Sequence, residues 1–311
     1  MDLSALEVLV AVAQEKGFSR AAERLHRTQP AVSQAIRRLE DELGRQLFDR
    51  SSKDGTLTDA GRVLHGYALQ LLNLRRDAGV ALQELTDLRR GKLVIGANEY
   101  TVVHLLPILA RYRARHPSIK IEVRRSLASE IPSELLHREV EVGLLTYRPV
   151  QPGIATLQVA EDDLTLLVAP SHRLARRSEV SIRELGGEAF LAHNVRSPYR
   201  ERVIQTFARY RTPLEIAIEL PTLESVKRLV ERGLGVALLP RRVAQGEIAR
   251  GDVTALTVRE MRLLRPVFVA FRSGSEPSHA ARAFLACARE EGRTGSRTAR
   301  GPGGPTQVRR S

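Results

Sequence analysis

The chain has 311 residues, 42% hydrophobic and 27% charged, the balance of an ordinary globular protein with enough length for two or three domains and a sizeable core. No run approaches the ~18–20 apolar residues of a membrane span, and MDLSALEVLV lacks the basic-then-apolar pattern of an export signal, so a cytoplasmic protein is expected. The net charge of +13 invites a nucleic-acid partner but supports one weakly, because Arg293, Arg297, Arg300, Arg309 and Arg310 crowd a Gly/Pro/Ser/Thr-rich tail that cannot bury a core and is expected to be disordered.

In chain order, Ser4 and Glu7 have the spacing of a capping box and open a helix with Leu6, Leu9, Val10 and Ala13 on one side, ending at Gly17. Ser19 is placed to cap a second helix carrying Ala21, Ala22 and Leu25, with a break at His26 and Arg27. Thr28 caps a third, in which Pro30 occupies the first turn, where its missing N–H costs nothing. Val32, Ile36, Leu39 and Leu43 form its apolar stripe, and Gly44 stops it. Gln29, Ser33, Gln34, Arg37 and Arg38 lie off that stripe. Two short helices with a tight turn, the second polar and basic outside, read as a helix-turn-helix.

Two strand-like pieces follow, Gln46 to Phe48 and Thr56 to Thr58, around a turn at Asp54-Gly55. Such a hairpin is a wing, with Arg50 and Lys53 placed to reach phosphates or the minor groove. On these residues alone, a small helical subdomain with a solvated basic face stays open as an alternative. For DNA, the amides of Gln29 and Gln34 can pair with adenine, and Arg37 can fork onto guanine or grip phosphate. Ser33 and Thr28 offer hydroxyls, and Pro30 an apolar surface for a thymine methyl. Arg38 could instead pair with Asp41 or Glu42 along its own helix.

Thr58 caps a long helix to about Arg90, in which Val63, Tyr67, Leu71, Leu74, Ala78, Ala81, Leu85 and Leu88 keep a near-heptad rhythm. A domain of about sixty residues cannot cover that stripe, so pairing with a second copy is expected, with packing on its own effector domain as the alternative. Past Gly91, strands at Leu93 to Gly96, Ile119 to Val123 and Val140 to Leu145 alternate with helices at Thr101 to His116 and Ile131 to Arg138, which implies a parallel sheet with crossover helices. A second α/β unit follows. It has strands at Asp163 to Ala169, Ile216 to Glu219 and Val236 to Leu239, and helices at Val180 to Leu185, Tyr199 to Tyr210 and Leu223 to Arg232. Val267 to Phe271 and a helix at His279 to Glu290 return the chain to the first unit. Cys287 is the sole cysteine; Phe284, Leu285 and Ala288 around it suggest a buried, inert thiol.

AAERLHRTQPAVSQAIRRLEDELGRQLFDR with LTDAG after it resembles the N-terminal domain of LysR-type transcriptional regulators, and LVERGLGVALLP, from Leu229 to Pro240, resembles that family's effector domain. The resemblance implies an α/β chain with an N-terminal winged helix-turn-helix (1–58), a dimerising linker helix (59–90) and a two-lobed periplasmic-binding-protein-like effector domain (91–290). Lobe I is expected at about 91–147 and 266–290, lobe II at about 148–265, and a disordered basic tail at 291–311. It further implies promoter or operator DNA as partner, a homodimer or homotetramer, and a small-molecule effector whose binding alters DNA bending and the access of RNA polymerase. Carried over by residue, it places DNA contact on Thr28, Gln29, Pro30, Ser33 and Gln34, the last where arginine is common.

The family's effector pocket lies between the lobes. The matching loops hold Asn98, Tyr100, Thr101, Ser129, Thr146, Ser197 and Thr222, with Thr101 and Ser129 expected at helix N-termini suited to an anion. Tyr100 and Ala128 depart from the small hydroxyl residues frequent there, and Glu99 adds a negative charge, which leaves an amine-bearing effector as open as an acid. No H-E-x-x-H, C-x-x-C, G-x-S-x-G or P-loop is present, and the eight histidines are dispersed, so neither an enzyme, a metal nor a cofactor is expected. A solute-binding receptor and a DNA-bending protein without a sensor are the remaining rivals.

Overall fold

The computed structural model describes residues 1–49, 55–86, 91–195, 198–261, 265–274 and 276–298. Its N-terminal unit holds α1 (Leu3–Glu15), α2 (Phe18–Arg24) and α3 (Gln29–Leu43), followed by the long α4 (Asp59–Thr86). Leu6, Leu9 and Val12 of α1, Ala21 of α2, and Val32, Ile36 and Leu39 of α3 share one core with Leu47, Phe48 and Ala68.

Two caps differ from expectation. Asp2, not Ser4, caps α1, accepting from the Ala5 N–H at 2.7 Å; an aspartate there also adds negative charge to the positive helix end. Ser4 falls inside the helix, where its hydroxyl meets the Arg27 guanidinium, and Glu7 pairs with Arg75 of α4. Helix α2 starts at Phe18 from an extended Gly17, so Ser19 is already helical; the Phe18 ring is fixed edge-on to Phe48, centroids 5.4 Å apart.

The remainder forms two lobes. Lobe I contains β1 (Lys92–Ala97), α5 (Val102–Arg115), β2 (Lys120–Arg125), α6 (Ile131–Leu136), β3 (Val142–Leu145) and β4 (Ile154–Asp162). Lobe II contains β5 (Leu164–Val168), β6 (Glu179–Val180), β7 (Ala189–His193), α7 (Pro198–Arg209), β8 (Glu215–Leu220), α8 (Leu223–Glu231), β9 (Ala237–Pro240), α9 (Gln245–Arg250) and β10 (Thr254–Val258). The chain then returns to lobe I through β11 (Arg265–Arg272) and α10 (His279–Thr298).

The lobe I sheet has the order β2-β1-β3-β11-β4. β1 runs parallel to β2 and β3, whereas β11 is antiparallel to β3 and β4, so the sheet is mixed rather than parallel throughout. The first crossing is corrected as well: it lies at Asp162–Asp163 and not near Arg148. β4 pairs with β11 from Ile154↔Arg272 to Asp162↔Arg265, and that ladder keeps 154–162 in lobe I. α10 runs to Thr298, past the expected start of the tail at 291; residues 299–311 lie outside the described residues. Leu93, Ile95, Ile108, Tyr112, Val269 and Phe284 form the core of this lobe, and Cys287 is buried among them.

In lobe II the order β6-β10-β5-β9 is extended through the Phe190↔Val236 bridge to the parallel pair β7–β8. The stretch read as a helix over Val180 to Leu185 is the short β6 followed by a single 3₁₀ turn at Ile182–Leu185, capped by a Ser181/Glu184 box. In the Gly233-Leu234-Gly235 stretch, a Cβ on Gly235 would stand 2.5 Å from the Ala189 carbonyl oxygen, so this glycine lets the strands close. Among the described residues, no helix is long and apolar enough to cross a membrane.

Candidate functional site

The first site is the outer face of α3. Thr28 is its N-cap and accepts from the Ala31 N–H at 3.4 Å, while Gly44 ends it at φ 63°. Burying Val32, Ile36 and Leu39 forces the intervening side chains outward. Thr28, Gln29, Pro30, Gln34, Arg37 and Arg38 are exposed, and Ser33 is half-buried. The Gln29 amide donates to the Ser33 hydroxyl at 2.9 Å, which presents the two as one polar unit.

The wing is tied to α3 by a residue that sequence reasoning missed. Glu40 is buried, and its carboxylate accepts from the backbone N–H groups of Leu47 at 2.7 Å and Phe48 at 3.3 Å. A charged residue one turn from the helix end looks like an ordinary surface position; only its place beside the apolar Leu39 hinted otherwise. Phe48 bridges Leu57, and Asp49 N–H donates to the Thr56 carbonyl at 2.8 Å. Gly55 takes φ +60°, as a turn glycine does. Arg50 and Lys53 lie outside the described residues. Thr58 opens α4, its hydroxyl accepting from the Gly61 N–H at 3.0 Å.

Helix α4 meets both halves of the protein. Its start packs on the N-terminal core, and further along the Asn73 amide and the Arg76 guanidinium donate to the carbonyls of His137 and Arg138 at the end of α6. Own-chain packing therefore holds for one face. Val63, Tyr67, Leu71, Leu74 and Leu82 remain exposed on the helix, Val63 and Leu82 by 64% and 66%.

The second site lies between the lobes. β1, β2 and β3 run in parallel, so the segments following them share one edge of the sheet: Asn98 to Thr101, Ser126 to Glu130, and Thr146. His193 ends the parallel strand β7, and Thr222 follows its partner β8 in the same way. The two edges meet, because the Glu99 carboxylate accepts from the Leu223 N–H at 3.2 Å. Thr222 caps α8, its hydroxyl accepting from the Ser225 N–H at 3.1 Å.

Thr101 stands at the N-cap position of α5, as expected, but it is buried and makes no cap bond. Its hydroxyl and its N–H face Asn98, whose side-chain oxygen also accepts from the Tyr100 N–H at 3.0 Å. This Asx turn takes up the N–H groups of Tyr100 and Thr101 just ahead of α5. Tyr100 is buried in the lobe II core beside Leu164, Leu191 and Val226 rather than lining an open surface. Thr146 is buried and Ser129 exposed; Ser197 lies outside the described residues.

At the crossing between lobes, His104 and Asp162 form a buried pair at 2.8 Å. Burial, and next the Asp162 carboxylate, push the neighbouring Asp163 carboxyl up from its ordinary range.

Residues 3–62 match the family described as bacterial regulatory helix-turn-helix protein, lysR family, and residues 86–293 match the LysR substrate binding domain. A probable RuBisCO transcriptional regulator of Cyanophora paradoxa is 29% identical over 289 residues, covering 91% of this chain and 89% of its own. The LysR family regulator CbnR superposes with a TM-score of 0.69 at 23% identity, covering 94% of this chain and 99% of its own. Full-length CbnR complexed with its target DNA gives 0.68 at 23% identity, over 94% and 100% of the two chains. With two family domains in sequence over a helix-turn-helix, a linker helix and a two-lobed α/β unit, the chain belongs to the LysR family of DNA-binding transcriptional regulators with an effector-binding domain.

Proposed function

We propose that the exposed start of α3 reads operator DNA in the major groove, with Gln29, Ser33, Gln34 and Arg37 toward base edges and Thr28 and Pro30 beside the backbone. One observation carries this: these residues lie off the buried Val32–Ile36–Leu39 stripe, all exposed except the half-buried Ser33. Arg50 and Lys53, by their position in the wing sequence, contact phosphates or the minor groove. The exposed apolar residues of α4 support a homodimer, and two such dimers a homotetramer.

The facing strand ends of the two lobes support a seat for a small-molecule effector near Asn98, Thr146 and Thr222; Ser197 joins this reading by its sequence position alone. The effector's binding alters DNA bending and the access of RNA polymerase to the promoter, in the cytoplasm. Selecting bound DNA fragments and comparing wild type with Gln29→Ala tests the base readout. The variant should lose about 1–3 kcal/mol at the selected site and keep its non-specific affinity. Equal affinity at the selected site removes Gln29 from base readout.

A further inference from the structure

The loop after β1 reaches out of its own lobe. The Glu99 carboxylate of lobe I accepts from the N–H of Leu223, the first residue of the nine-residue α8 of lobe II, at 3.2 Å. The same carboxylate oxygen stands 3.3 Å from His193 Nε2. That ring nitrogen is also 3.0 Å from the Pro221 carbonyl oxygen. Both neighbours are acceptors, so Nε2 carries the imidazole proton and donates it to the Pro221 carbonyl, with the Glu99 oxygen beside that bond. His193 is only 5% exposed, and its other ring nitrogen, Nδ1, is buried with no partner among the described residues.

The next residue reinforces the contact. Tyr100 inserts among Leu164, Leu191, Leu223 and Val226 and stands edge-on to His193, ring centroids 5.6 Å apart. A helix start carries partial positive charge and outward N–H groups and favours an anion. Here the anion is supplied by the chain itself, from the opposite lobe. Its donor is the Leu223 N–H, and His193 Nε2 stands 3.3 Å from the same oxygen.

We propose that Glu99 is a tethered carboxylate ligand: it occupies an anion site on lobe II made by the start of α8 and His193, holds the lobes together, and is displaced by a small carboxylate. Tethering gives Glu99 an effective concentration on the order of millimolar or above, so a free carboxylate competes only when it is abundant or gains contacts beyond those of Glu99. The displacement as a regulatory event rests on the reading of the cleft as the effector seat; the tether itself does not.

The test is the melting temperature of the full chain as wild type, Glu99→Ala and Glu99→Gln, in sodium acetate against sodium chloride at equal pH and ionic strength. Glu99 is partly exposed, and its alanine variant is expected to fold. Glu99→Ala should melt lower than wild type in chloride and recover saturably with acetate, as a ligand of the folded state makes it do. Glu99→Gln should fall between, since its amide oxygen still accepts but carries no charge, and wild type should show no acetate-specific shift. A Glu99→Ala protein that melts like wild type in chloride, or one that recovers equally in both salts, overturns the proposal. Acetate rescue of Glu99→Ala with an operator footprint indifferent to acetate would keep the anion site and overturn the coupling of cleft to DNA.

Discussion

His104 and Asp162 meet at 2.8 Å, 58 positions apart in sequence, at the point where the chain first leaves lobe I. Asp162 is the last residue of β4 and His104 lies in the first turn of α5, so the pair ties the crossing strand to the helix that carries the Asn98–Thr101 loop. The other Asp162 oxygen accepts from the Asp163 N–H at 3.0 Å. Removing one partner leaves the other buried and uncompensated, so His104→Ala or Asp162→Ala should each destabilise the effector domain by about 3–5 kcal/mol. The double variant should lose less than the sum of the two, a coupling that urea unfolding measures. Strictly additive losses would show that the two side chains do not act as a pair.

Gly61, in the LTDAG stretch, has a different constraint. A Cβ there would sit 2.0 Å from the Leu47 carbonyl oxygen and 3.0 Å from Leu57 Cδ2, and the Leu47 carbonyl is itself held by the Thr58 N–H at 3.0 Å. Gly61→Ala must push the wing away from α4, at a cost of about 3 kcal/mol, the upper end for an overpacked site. The variant should melt earlier and bind DNA weakly. Gly79→Ala, which meets nothing within 4 Å among the described residues, is the control and should keep wild-type stability or gain slightly from better helix propensity.

What could be read from the residues follows from the range of the interactions that fix them. The helix-turn-helix was legible because its signals are local: Thr28 caps, Gly44 stops, and Val32, Ile36 and Leu39 share a face within one helix. The cap at Ser4 was misread because Asp2 caps equally well two positions earlier. β4, β7 and β10 passed unread; Ile154–Asp162 mixes apolar and polar residues without clean alternation and becomes a strand only through its ladder with β11, a hundred residues away. The crossing of the lobes was therefore set too early. Glu99 was visible as a charge out of place, but its partners Leu223 and His193 come from the other lobe, and no local spacing announces them.

His65 gives the linker contact a pH dependence. It lies on α4 near His137, its Nε2 is buried without a partner among the described residues, and a Cβ on the adjacent Gly66 would come within 3.4 Å of His137 Nε2. Burial, and next the nearby His137, hold its pKa below the ordinary value of 6.5. A depressed histidine pKa means that the unfolded or undocked chain binds the extra proton more readily. Stability of the docked helix should therefore be complete above the ordinary value and fall as pH drops through it toward the lower folded value. Wild type should lose melting temperature between neutral pH and about pH 5, and His65→Gln should lose less over that window. Parallel pH profiles of the two proteins would remove His65 from this role.

The outer stripe of α4 carries the last prediction. Val63 and Tyr67 are 64% and 61% exposed, and Leu71, Leu74 and Leu82 continue them along the helix. Three faces of its environment are already assigned: Ala68 and its neighbours to the N-terminal core, Arg75 to Glu7, and Asn73 with Arg76 to the end of α6. None of these contacts covers the stripe, and large apolar side chains repeated at near-heptad spacing are costly to leave in water. A second copy of the same helix supplies matching apolar side chains, which is why the seam is expected to be self-complementary. Tyr67→Lys with Leu74→Lys places like charges across that seam at two levels while leaving Ala68, Asn73 and Arg76 in place. Sedimentation should show the doubly changed protein at the mass of a single chain, with its circular dichroism retained and cooperative binding to paired half-sites lost. An unaltered mass would place the contact between copies on another surface.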